Sequence, residues 1–161
     1  MKKFILSLAA AAVVLNGCSW FDGLFVDEAA VHNGLVERMD AVLIGEGDFY
    51  DNYWALNEDM DYGAFLSAFD NFRSDVAELD RYFNETKFTS SQQVFVEGYK
   101  ADYKPFIDIY IAYAGEFVGA LSTEGATYES VGFYFEKLDQ FTVDFVDVHN
   151  NLIDKINAQA G

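Results

Sequence analysis

Residues able to do chemistry are few in this chain, and their spacing narrows what that chemistry is. It holds two histidines and one cysteine against 27 acids. With a single thiol, Cys18, no intrachain disulfide can form, and a CxxC metal or redox site is excluded. His32 and His149 fall on the first and last helical segments of the sequence. Glu28 precedes His32 by four residues, which puts the two on one helix face. If the first and last helices run antiparallel, the two rings fall in roughly one layer. Glu28, His32 and His149 then make a mixed nitrogen and oxygen set suited to a divalent transition metal. Carboxylate-bridged di-metal bundles use Glu-x-x-His on two helices plus two more buried Glu, and that motif is absent. His149 has no acid on its own face: Phe145 and Ile153 flank it at four residues, and Asp144 and Asp147 point to other sides. A pair of hydrogen-bonded core histidines is the commoner outcome for such residues.

Other groups offer less. Asn57-Glu58-Asp59-Met60-Asp61-Tyr62-Gly63 has the look of a calcium loop. Counted from Asn57, however, the sixth position is Tyr62 and the twelfth Ala68, where an EF-hand needs Gly and Glu. The segment reads instead as an interhelical turn. Tyr99, Tyr103, Tyr110 and Tyr113 line one helix, with Tyr134 on the next and Tyr50, Tyr53 and Trp54 on the first. Their hydroxyls need partners when buried, which makes either a polar-lined slot or an aromatic core with hydroxyls at its rim. The chain has no GxSxG elbow, no HExxH, no phosphate-binding Gly loop and no Cys-His pair in the mature domain. Its many carboxylate pairs lie on helix exteriors, where they are solvated rather than tuned for acid/base work. The expectation is a protein without catalysis and without a cofactor.

The elements that must carry these residues are helices. Phe65, Phe69, Phe72, Val76, Leu79 and Phe83 recur at intervals of 4, 3, 4, 3 and 4, one apolar stripe, with Asp61 as its N-cap. A second stripe runs Val96, Tyr99, Tyr103, Phe106, Tyr110, Tyr113, Phe117 and Leu121. Ser90 and Gln93 form a capping box at its start, and Pro105 bends one continuous helix. After a turn ended by Gly125, Thr127 caps a helix with Val131, Tyr134, Leu138, Phe141, Phe145, Val148, Leu152 and Ile156 on its stripe. His149 flanks that stripe. The first helix starts near Phe25 and carries Ala29, His32, Leu35, Val36, Met39, Val42 and Leu43. It passes Gly45-Glu46-Gly47 with a kink rather than a clean break. No segment alternates with period two. The pattern predicts an all-α, antiparallel up-down-up-down four-helix bundle.

Ahead of the bundle, Met1-Lys2-Lys3 leads into a nearly unbroken apolar run from Phe4 to Leu15. Charged start and short apolar stretch have the shape of an export signal, and the run is shorter than the roughly 20 residues needed to span a bilayer. Leu15-Asn16-Gly17-Cys18 resembles the lipobox of bacterial lipoproteins. The resemblance covers about the first 20 residues and stops there. It implies that Cys18 is lipidated and the chain cut before it, giving residues 1–17 as signal peptide, 18–24 as lipidated Cys and short tether, and 25–161 as the helical domain. Trp20, Phe21, Leu24 and Phe25 then lie in the lipid interface or cap one end of the bundle. Ser19 carries no retention signal of the Asp type, so the resemblance implies transport to an outer membrane where one exists, and otherwise display at the cell surface. Cleavage removes Lys2 and Lys3 and no acid, taking the net charge from −17 to −19 and leaving 144 residues. Such acidity disfavours nucleic acid and flat docking on anionic lipid. The expected function is a lipid-anchored binding or structural module of the cell envelope with a protein partner. A metal- or small-ligand-binding bundle and an envelope enzyme are the alternatives.

Overall fold

The Asp27 side chain accepts a hydrogen bond from the Ala30 amide at 3.0 Å, and this N-cap opens helix α1, Glu28–Ala55. The computed structural model describes residues 26–56, 62–124 and 126–159, and every regular element in them is helical. After α1 come α2, Tyr62–Glu85, and a rod of three segments. These are α3, Gln93–Gly98; a π-helical turn, Tyr99–Tyr103; and α4, Lys104–Leu121. Helix α5, Tyr128–Asn157, closes the chain. Thr127 caps α5 through a reciprocal box with Ser130, as the sequence predicts for Thr127. Each rod packs on two others: α1 on α2 and α5, and the central rod on α2 and α5. The predicted caps at Asp61 and Gly125, and the whole of residues 1–25 with Cys18, lie outside the described residues.

Packing decides how α1 passes its glycines and which of its residues are buried. The helix runs through Gly45-Glu46-Gly47 without a break. A Cβ on Gly45 would stand 3.3 Å from the Phe72 Cα and 2.6 Å from Asp75 Oδ2, so glycine here allows α1 and α2 to approach backbone to backbone. The buried stripe is Val31, Leu35, Met39, Val42, Glu46, Phe49 and Tyr53. Val31, not His32, occupies the core position at the start, and His32 is only partly covered.

The central rod differs more. Its first helical residue is Gln93, preceded by a turn in which the Gln92 side chain accepts from the Thr89 amide at 3.0 Å. The Ser90–Gln93 capping box does not form. Pro105 has no N–H to give, and the turn before it widens: the Lys104 amide bonds the Tyr99 carbonyl, five residues back. Inserting a π turn in this way shifts the downstream face by about one residue. Tyr99, Tyr103, Ile107, Tyr110, Ala114 and Phe117 are therefore the buried positions, and Phe106 and Tyr113 move to the flank of the core.

Aromatic rings fill the interior. Phe49 of α1 packs on Phe65, Phe69 and Phe72 of α2 at 5.4–6.0 Å between centroids. Phe83 lies flat on Tyr99 at 3.8 Å. At roughly 1.5–3 kcal/mol for each fully buried large apolar side chain, this stack holds the rods at fixed spacing and so fixes the polar groups among them.

Candidate functional site

Val42, Glu46, Phe49 and Tyr53 follow one another at helical spacing, so the core stripe of α1 carries a carboxyl into the interior. Glu46 is 4% exposed. The Tyr110 hydroxyl of α4 donates to Glu46 Oε1 at 2.7 Å and stands 2.9 Å from Thr142 Oγ1 of α5. Three rods thus meet at one carboxyl. Burial raises its pKa, the hydrogen bonds from Tyr110 and Thr142 pull it back, and the charge of Asp51 adds to the rise. Its hydrogen-bond partners are hydroxyls rather than a cation, and burial outweighs them, leaving the pKa above the ordinary carboxylate value.

About two turns along the rod lies a second polar pair. His149 replaces Val148 as the buried residue on α5 and is 2% exposed. Its Nδ1 shares a hydrogen bond of 3.3 Å with the Tyr103 hydroxyl. Burial lowers the imidazole pKa to about 4, against a small upward pull from Asp40, so the ring is neutral at neutral pH. Tyr103 and Tyr110 are both pushed well above the usual phenol range, by burial first and by the nearby Glu46 second. A neutral imidazole facing a phenol that resists ionisation is a hydrogen-bonding pair, not an activated nucleophile.

Tyr103 ends the π turn, and π turns often sit at functional positions. Outside it, Gly98, Asp102, Tyr103, Val148, Asn151, Leu152 and Lys155 line a groove of about 220 Å³. Lys155 Nζ pairs with Asp102 Oδ2 at 3.2 Å across its mouth. The lysine stem lies over Gly98, where a Cβ would meet it at 2.9 Å.

The structure does not assemble the predicted metal set. Among the described residues no group of three or more His, Cys, Asp and Glu is placed to hold a metal ion. Glu28 and His32 do come together, on a groove of about 190 Å³ that also has Gln92, Phe95 and Gln159 on its walls. His149 is elsewhere, its ring influenced by Asp40 of α1, two helical turns beyond His32, or about 12 Å along the axis. The expectation of a shared histidine layer fails because α5 continues past His149 to bring Gln159 to the level of His32. Sequence reasoning placed Glu46 only as part of a glycine-flanked kink. Its spacing from Val42 and Phe49 was the signal, obscured by the two glycines.

Compared with known proteins, the chain matches no family model, no curated protein and no solved structure.

Proposed function

We propose that this is a lipid-anchored binding or structural module of a bacterial cell envelope, held by an acylated Cys18 and built as an up-down-up-down bundle. The observation that carries the reading is the sequence from Met1 to Cys18, an export signal ending in a lipobox-like Leu15-Asn16-Gly17-Cys18. The alternating direction is supported by which residues meet: Val31 with Tyr82, Arg38 with Glu78 and Phe49 with Phe65. Residue numbers rise along α1 as they fall along α2. Glu28 follows Cys18 by ten positions, at most about 36 Å of chain, so the start of α1 is the membrane-proximal end. None of the described helices is long and apolar enough to cross a membrane. The two grooves described, of about 190 and 220 Å³, are smaller than the roughly 300–1,000 Å³ of most small-molecule sites. That favours recognition by the surface. Where the organism has an outer membrane, the module belongs there; otherwise it stands at the cell surface.

Expression of the full chain in a bacterial host, with intact mass and fractionation, tests this. The expected product begins at an acylated Cys18 and sits in the membrane fraction, and Cys18→Ala moves it out of that fraction. An uncut, unacylated chain in the cytosol would overturn the proposal. A second reading, a small-ligand bundle, is favoured by the groove over the π turn. Its check is whether a ligand that raises the melting temperature loses its effect in Asn151→Ala.

A further inference from the structure

Beside its core stripe, α1 carries a second one: Asp40, Leu43, Gly47, Tyr50 and Trp54, at intervals of three and four. Helix α5 has a matching row, Gly132, Glu136, Asp139, Val143, Val146 and Asn150, again at fours and threes. Two contacts align the rows: Glu46 and Thr142 meet on the Tyr110 hydroxyl, and Tyr53 lies 5.1 Å from Phe135. Leu43 and Val146 therefore fall at one level, and Trp54 lies toward Glu136 and Gly132. The apolar members are uncovered: Leu43 is 41% exposed, Trp54 45%, Val143 62% and Val146 43%. Trp54 rests edge-on against Tyr50 and Tyr53, which holds its ring on the surface. Gly47 and Gly132 have no atom within 4 Å of where a Cβ would stand, so the backbone of both helices is open to close approach.

Charge says what kind of partner fits. Asp40, Asp51 and Glu136 are exposed along this face. The bases of the same two helices are engaged at other seams. Arg38 pairs with Glu78 and covers the Tyr82 ring of α2, Lys137 covers Phe141, and Lys155 pairs with Asp102 of the central rod. A second copy would bring acid against acid across a self-complementary interface. Anionic lipid and phosphate backbones are repelled in the same way.

We propose that the outer α1/α5 face docks an amphipathic helix of a basic partner protein, its apolar residues on Leu43, Trp54, Val143 and Val146 and its Lys or Arg side chains against Asp40, Asp51 and Glu136. A helix laid in the seam meets the row of each host helix with residues three and four apart. The inference rests on the binding-module reading and names the partner's chemistry.

The test uses the full chain in detergent and two 18-residue helical peptides of one apolar pattern, one with Lys and one with Glu at the polar positions. Calorimetry follows binding. The Lys peptide binds, and the affinity falls at least about tenfold for Val143→Lys and for Asp51→Lys and falls again at high salt. Asp70→Lys, on α2, makes the same change in net charge and leaves affinity within about twofold. Circular dichroism confirms the fold of each variant, all changed at exposed positions. No binding of the Lys peptide, equal binding of the Glu peptide, or an equal loss in Asp70→Lys would each overturn the proposal. None of these results bears on the anchor at Cys18, which mass and fractionation decide separately.

Discussion

His149 allows the buried polar layer to be tested by number. In the unfolded chain its imidazole titrates near 6.5, and in the fold burial holds it to about 4. Between those values the unfolded state binds a proton that the native state refuses. Native stability from this group is therefore complete above about pH 6.5 and is lost as pH falls toward 4 and below. That gap, at about 1.4 kcal/mol for each pH unit, amounts to roughly 3 kcal/mol, of which about 2 is gone by pH 5. That is a large share of the ~5–15 kcal/mol that holds an ordinary domain together. Urea unfolding of the wild type and His149→Phe, from pH 7.5 to 4, isolates the term. The variant strands the Tyr103 hydroxyl at a cost of about 1–3 kcal/mol, but that cost is the same at every pH. The difference between the two stabilities should therefore shrink or reverse by about 3 kcal/mol across the range. Two parallel curves would refute the placement of a neutral imidazole in the core.

Glu46 has the opposite sign. Its pKa is raised in the fold, so the native state holds its proton more tightly and loses stability as pH rises through that raised value. Glu46→Gln keeps an acceptor for Tyr110 and should match or exceed wild-type melting temperature at pH 8; a marked loss there would contradict the account. Gly45 and Gly47 make a matched pair. Gly47→Ala has open space and should gain about 1 kcal/mol of helix propensity. Gly45→Ala forces the Phe72 backbone aside and should lose stability in the same denaturation assay. Pro105→Ala restores an N–H but leaves Ile107, Tyr110, Ala114 and Phe117 needing their present faces. The π turn should survive, seen by NMR as a Lys104 amide still bonded to the Tyr99 carbonyl.

Much of the architecture is legible in single residues because a helix writes its buried face into local spacing. Phe65 to Phe83 marks α2, and Thr127 marks the start of α5. The all-helical class follows from such periods, which need no knowledge of neighbours. What the sequence could not decide is which of two adjacent residues enters the core. Val31 prevails over His32 and His149 over Val148, because the rotation of a rod is set by the rods beside it. The π turn belongs to the same kind. Pro105 announces a disturbance, but whether it becomes a kink or an extra residue in the turn depends on packing against Phe83, Phe145 and Phe141. Glu46 is the sharpest instance. Local composition reads it as a polar residue in a glycine-rich break, and only tertiary contact, with a tyrosine from α4 and a threonine from α5, makes burial of its carboxyl tolerable.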